Sequence, residues 1–246
     1  MDQDNSIPLI PAVVLFGPPG SGKGTQAKLL KRCLSGPHIS TGDMLRTHIQ
    51  AGDAIGDKSE SLIKSGLLVP DELVNQLVEE RLQQQDCRAG VILDGYPRTL
   101  NQAGVLLELM RRFGFRPAVV HLVVDHERIV RRLSGRRQCP VCGTLYSLKT
   151  NPPKVQGICD LDGATLVTRE DDREPVIRAR LDAYESQTRP ILNYFRDAGV
   201  PVVEVKGASR QPEDIVAEIC DDLIKEGLLQ HSEAGNAGVS RASVRS

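Results

Sequence analysis

The chain has 246 residues, with 31 Lys and Arg against 32 Asp and Glu, a net charge of −1, and 40% hydrophobic residues although only 3% are aromatic. That length suits one generous α/β domain or two small ones around a Leu, Val and Ile core, and the even charge balance argues against a general nucleic-acid or membrane-surface binder, which needs a basic excess. No stretch approaches the ~20 apolar residues that span a bilayer, and the acidic, polar first five residues are unlike a secretory signal, so a cytoplasmic protein with reduced thiols is expected.

The first element in chain order is a buried strand, Ala12-Val13-Val14-Leu15-Phe16, which stops at Gly17-Pro18-Pro19-Gly20. Apolar Ala27, Leu29, Leu30, Cys33 and Leu34 then recur at helical spacing over residues 25–34. Ser40-Thr41-Gly42-Asp43 reads as the cap of a short helix that carries Arg46. Pro70-Asp71 opens an amphipathic helix through Leu73, Val74, Leu77, Val78 and Leu82. Further strands are expected at Val91-Ile92-Leu93, at residues 118–124 and at residues 202–205. Apolar strands without polar alternation, separated by helices, imply a parallel sheet covered on both faces.

Residues 135–172 break that rhythm with Pro140, Gly143, Asn151, Pro152, Pro153, Gly157 and Gly163 and no long periodic run. A loop of that length in a compact domain needs a function or its own staple, so it reads as an inserted subdomain. A helix resumes at Glu174-Pro175 through Ile177, Leu181 and Tyr184, and beyond Leu229 a polar, Gly- and Ser-rich tail is expected to be disordered. Cys33, Cys87 and Cys220 stand alone in apolar or helical patterns and read as ordinary buried thiols.

The chemistry begins with Gly17-Pro18-Pro19-Gly20-Ser21-Gly22-Lys23, which fits G-x-x-x-x-G-K between a strand and a helix. Glycines let successive backbone N–H groups converge on a phosphate, the helix N-terminus adds positive potential, and Lys23 adds a mobile cation. The strict pattern then asks for Ser or Thr, and Gly24 intervenes before Thr25. Asp94, ending a buried strand, is placed to hold magnesium through water at the carboxyl edge of a parallel sheet. Arg98 follows it across Gly95-Tyr96-Pro97, and Arg132, Arg136, Arg137, Arg169 and Arg178 come later. Guanidinium suits phosphate because its planar donors bind oxygens in pairs, although any one of these arginines alone reads as a solvated side chain. Cys139-Pro-Val-Cys142 and Cys159-Asp-Leu-Asp162, each followed by Gly, have zinc-knuckle spacing with one carboxylate ligand. The alternative, a redox C-x-x-C, leaves the second pair without a purpose.

GPPGSGKGTQA, ISTGDMLR, LDGYPRTLNQA, the GRR before the insert, TREDD and VIRARL resemble the adenylate kinase family in order and spacing, from about Val13 to about Val205. The resemblance implies a phosphate-loop NTPase fold: a five-stranded parallel sheet flanked by helices, with an AMP-binding segment at 40–69 and a zinc-knuckle lid at 135–172 inserted in a core of residues 1–39, 70–134 and 173–228. It implies ATP, AMP and ADP as partners, magnesium with ATP, structural zinc in the lid, and a monomer. On the donor side it implies roles for Gly20, Ser21, Gly22, Lys23, Gly24, Thr25, Arg136 and Tyr146, with Arg132 stacking on the ATP adenine. On the acceptor side it implies Arg46, Leu68, Val69, Gly95, Arg98, Arg169 and Arg178, with Thr41 and Gln102 reading the AMP base. Arg136, Arg169 and Arg178 would attend the transferring group, Asp94 the magnesium water shell, and Asp171 and Asp172 lid closure. Thr150 stands where the family often has an aromatic. Two other functions stay open: a sister kinase acting on UMP or CMP or using GTP, against which the long insert, Thr41 and Gln102 speak, and a zinc-ribbon nucleic-acid module fused to a phosphate-loop switch.

Overall fold

The apolar run at the start becomes β1 (Ile10–Phe16), whose Ala12, Val13 and Val14 are wholly buried. The computed structural model describes residues 9–207 and 210–230, so the expected disordered tail from residue 231 onward lies outside the described residues. Strand β1 is the middle of a five-stranded sheet that also contains β2 (His38–Ser40), β3 (Val91–Asp94), β4 (Phe115–Val123) and β7 (Val202–Lys206). The strands run parallel in the order β2-β3-β1-β4-β7, with Val14 opposite Leu93 on one side and Val119 on the other.

Parallel neighbours need crossover connections, and helices supply them. The helices α1 (Lys23–Leu30), α4 (Asp71–Leu82), α5 (Leu100–Phe113), α6 (His126–Ser134), α8 (Ile191–Asp197) and α9 (Pro212–Lys225) belong to this body. Because side chains alternate along a strand, Val13, Leu15, Ala118 and Val120 pack with Leu30, Ile219 and Leu223 on one face. Val14, Phe16, Leu93 and Val119 pack with Leu106, Met110 and Phe195 on the other. Both faces are therefore sealed, and only the strand ends are left for chemistry. The helix expected over residues 25–34 stops at Leu30, and residues 31–33 form a turn.

Residues 40–69 hold a helical pair, α2 (Thr41–Ala51) and α3 (Ala54–Ser65). Ser40 caps α2 by accepting from the Asp43 N–H, and Asp53 caps α3 by accepting from Ile55 and Gly56. Residues 135–172 carry the antiparallel pair β5 (Arg136–Gln138) and β6 (Leu145–Ser147), with bridges Gln138 to Val167 and Ile158 to Thr165. Their own interior is small: Cys139, Tyr146, Cys159 and Leu166, with Ala164 alongside. The chain returns in α7 (Glu174–Ala183), which has Pro175 in its first turn and runs on into a π-helical turn (Tyr184–Thr188).

Two expectations are overturned together. Cys33 and Cys220 are neither separate buried thiols nor reduced; they form a disulfide, with Cα atoms 6.5 Å apart. Cys33 lies just past α1, and α1 packs along α9, so two positions 187 residues apart meet. That separation hid the pair. Cys87 is a free, buried thiol. Among the described residues no helix is long and apolar enough to cross a membrane.

Candidate active site

The carboxyl ends of β1, β2 and β3 open into a cavity of about 1520 Å³, larger than the roughly 300–1,000 Å³ that holds one small ligand. The glycine loop after β1 forms its floor. Gly17 has φ +143°, and a Cβ there would lie 2.7 Å from the Leu122 carbonyl oxygen, so the loop can pass this close to β4 only without a side chain. Lys23 Nζ folds back to donate to the Gly17 and Pro18 carbonyls at 2.8 and 2.9 Å. The Ser21 hydroxyl is buried with no hydrogen-bond partner among the described residues, an orphan that an oxygen of a bound phosphate would satisfy.

Arginines from separate segments line the same cavity: Arg46 on α2, Arg98 after β3, Arg132 on α6, Arg136 on β5, Arg169 before α7 and Arg180 on α7. Burial, and after it mutual repulsion, act against the charged form of Arg98, Arg169 and Arg180. Burial first, and then Arg98, Arg180 and Arg136 against the opposing pull of Asp94, lowers the Lys23 ammonium to about 8. Burial and then Arg180 lower Arg98 to about 10, and burial followed by Arg46 and Arg136 does the same to Arg169. So dense a set of cations is stabilised by a polyanion.

Two buried acids aim this set. Asp172, whose side chain is fully buried, accepts from Arg136 Nε at 2.7 Å and from its terminal nitrogen at 2.5 Å. Asp171 lies 2.8 Å from the Arg180 guanidinium, which also approaches Asp172 at 3.6 Å. Arg169 Nε donates to the Gln138 side chain, which ties the end of the insert back to β5. Arg132 reaches the Gly207 carbonyl at 3.4 Å.

At the other end of the cavity, Gly95 is the pivot. Its carbonyl accepts from Thr41 Oγ1 at 2.9 Å and from Arg98 Nε at 2.8 Å. Its φ is +81°, and a Cβ would sit 3.1 Å from both side chains. Arg46 donates to Asp43 at 2.6 Å, and its buried Nε has no partner among the described residues. Leu68, Val69 and Gln102 complete this end. Asp94 lies between the halves, with Gly24 beside it and His38 Nε2 at 3.3 Å from its carboxylate.

Sequence reasoning had assigned Arg178 to the cleft, and the structure corrects this. Arg178 does not line the cavity; its side chain is 66% exposed and pairs with Glu174 at 2.6 Å. Arg180 is the residue turned inward. The signal was in the sequence: Ile177, Leu181 and Tyr184 define the buried face of α7, and at 100° per residue position 180 falls beside that face while 178 does not. Of the other assigned residues, Gly20, Ser21, Gly22, Gly24 and Thr25 line the loop end of the cavity. Tyr146 also borders the cavity, but its hydroxyl is turned into the insert, 2.8 Å from the Asp160 N–H and 3.5 Å from Cys159 Sγ. His38 was missed because nothing local ties it to a carboxylate 56 residues away.

In the insert, one ligand atom from each of Cys139, Cys142, Cys159 and Asp162 lies within 4.8 Å of every other. Cys142 and Cys159 sulfurs are 3.6 Å apart, and Cys139 Sγ is 3.2 Å from Asp162 Oδ2. Tetrahedral thiolates at about 2.3 Å from zinc stand about 3.8 Å apart, so the donor set and its spacing fit that ion.

The sheet, the glycine loop on its central strand and the basic two-ended cleft above define a phosphate-loop phosphotransferase with room for two nucleotides. A sequence model of the adenylate kinase family matches residues 15–200. The adenylate kinase of Fervidobacterium nodosum is 48% identical over 186 residues, which cover 75% of this chain and 85% of that protein. Those of Methanocella arvoryzae and Moorella thermoacetica are 44% and 47% identical, covering 84% and 83% of this chain and 95% and 94% of their own. The chain belongs to the adenylate kinase family of nucleoside monophosphate kinases.

Proposed function

We propose that the protein reversibly transfers the terminal phosphoryl group of ATP, taken with magnesium, to AMP, giving two ADP, and that it works as a cytoplasmic monomer that balances adenine nucleotides. The observation that carries this is the convergence of Lys23 with Arg46, Arg98, Arg136, Arg169 and Arg180 on one cavity. In phosphoryl transfer, negative charge spreads over the equatorial oxygens, and catalysis is alignment plus fixed positive charge with little water. No covalent step on a side chain is needed.

ATP phosphates would lie on the loop of residues 17–25, with Arg132 and the Tyr146 ring toward the adenine. AMP would lie opposite, its phosphate on Arg46 and Arg98 and its base near Thr41, Leu68, Val69 and Gln102. Arg136, Arg169 and Arg180 would surround the group in flight, with Arg136 and Arg180 already aimed by Asp172 and Asp171. Magnesium, when bound, neutralises phosphate oxygens; Asp94 would hold its water shell, with His38 steadying the carboxylate. Residues 135–172 would act as the lid, made rigid by zinc on Cys139, Cys142, Cys159 and Asp162. Swinging that lid over the donor would exclude water, which otherwise hydrolyses ATP.

A panel of donors and acceptors tests the assignment. ATP with AMP should turn over far faster than GTP with AMP, or ATP with UMP or CMP. Faster turnover with a pyrimidine acceptor or with GTP would reassign the protein to a sister kinase.

A further inference from the structure

Gln102 is 2% exposed and lines the acceptor end of the cavity, yet both ends of its amide are already engaged. Its Oε1 accepts from the Arg98 backbone N–H at 2.8 Å. Its Nε2 donates to Asp71 Oδ1, also at 2.8 Å. Asp71, the first residue of α4, lies outside the cavity and is itself held, because its other oxygen accepts from Thr99 Oγ1 at 2.7 Å and Asn101 Nδ2 at 3.0 Å.

These contacts have a consequence for the base. A backbone N–H only donates and a carboxylate only accepts. Turning the Gln102 amide over would set its NH₂ against the Arg98 N–H and its oxygen against the Asp71 carboxylate. Only one orientation survives, with one lone pair on Oε1 and one hydrogen on Nε2 left for a ligand. A free glutamine would present donor and acceptor in either order. A locked one presents them in one order, which separates purines by position 6, where adenine carries an amino donor and hypoxanthine or guanine an oxygen acceptor.

We infer that Asp71 is a specificity-determining positioning residue: by fixing the Gln102 amide it makes the acceptor site select 6-aminopurine over 6-oxopurine monophosphates. This rests on the adenylate kinase reading of the site and on Gln102 meeting the base.

The test compares kcat/KM for AMP and for IMP, with ATP as donor, in the wild type and in Asp71→Asn. An asparagine both donates and accepts, so the Gln102 amide regains its second orientation on that side, while the Arg98 N–H still favours the first. The AMP-to-IMP ratio should fall roughly tenfold, the value of about one hydrogen bond between mismatched groups, and mainly through the two acceptor KM values. KM for ATP should stay as in the wild type. Asp71→Ala, which frees the amide by removing its partner, serves if the asparagine variant does not fold, and predicts the same fall. A ratio that stays at the wild-type value in a folded variant, including an equal loss for both acceptors, overturns the inference while leaving the kinase reading intact. A wild-type protein that transfers nothing to AMP overturns both.

Discussion

Replacing Arg180 by alanine is the sharpest perturbation of the cleft, because its neighbour Arg178 supplies an internal control two residues away. Arg180 has 18% of its side chain exposed, against 66% for Arg178, pairs with Asp171 at 2.8 Å and adds to the field that lowers Lys23 and Arg98. A charge-assisted hydrogen bond is worth about 1.5–3 kcal/mol, and a guanidinium on a transferring phosphoryl group offers up to two. We expect a loss of about 3–4 kcal/mol of transition-state stabilisation, or roughly 10²–10³-fold in kcat/KM. The stability cost is smaller: Asp171 loses its 2.8 Å partner, but removing one cation also relieves the repulsion on Lys23 and Arg98, and Arg136 keeps Asp172 through two contacts. About 1–2 kcal/mol is expected there, a few degrees in Tm for a chain of this size. Arg178→Ala loses only an exposed i,i+4 pair with Glu174, about 0.3–0.5 kcal/mol, so its rate should stay within about twofold of wild type. Steady-state ADP formation with each nucleotide varied, beside thermal melts of both variants, makes the comparison. A large rate loss in Arg178→Ala with near-normal turnover in Arg180→Ala would falsify the assignment of α7's inward face.

Stripping metal from the insert should lower Tm and raise hydrogen exchange across residues 135–172 while the sheet strands keep their protection, because the insert has almost no apolar interior besides its ligands; an unchanged melt after metal analysis shows the ion is gone would contradict this. The Cys33–Cys220 link closes a separation of 187 residues, and opening it with a dithiol reductant, or with Cys33→Ser, should cost up to about 4–5 kcal/mol in urea unfolding. An identical midpoint with and without reductant would mean that the bond does not form in solution. The pH dependence has a definite sign: Lys23 is cationic below about 8 and neutral above it, so kcat/KM for ATP, which reports the free protein, should decline as pH rises through about 8. A flat profile from pH 7 to 9 would mean that burial does not bring the Lys23 ammonium down to about 8.

Much of this architecture was legible beforehand for a physical reason. β1, β3 and the glycine loop carry local signals: uninterrupted apolar residues for burial on both faces, and glycines where backbone must approach phosphate. The Cys139–Cys142 and Cys159–Asp162 pairs likewise announce themselves by spacing, since each knuckle is built within a few residues. What escaped depends on distant packing. Cys33 meets Cys220 only because α1 lies along α9, and His38 meets Asp94 only because β2 pairs with β3. Arg180 is a different case, because the family resemblance fixed the segment but not the face. There the periodicity of Ile177, Leu181 and Tyr184 was the better guide. Asp71 went unremarked because a helix's first acid reads as an end-of-helix charge, and nothing in the sequence shows that it also grips Gln102.

The central claim is that two nucleotides share one cleft with their phosphates meeting among these arginines, and product stoichiometry tests it most directly. Wild-type protein given ATP and AMP should form two ADP for each AMP consumed, release no inorganic phosphate, and leave ATP intact when AMP is withheld. Phosphate release at the same rate with or without AMP would contradict the account.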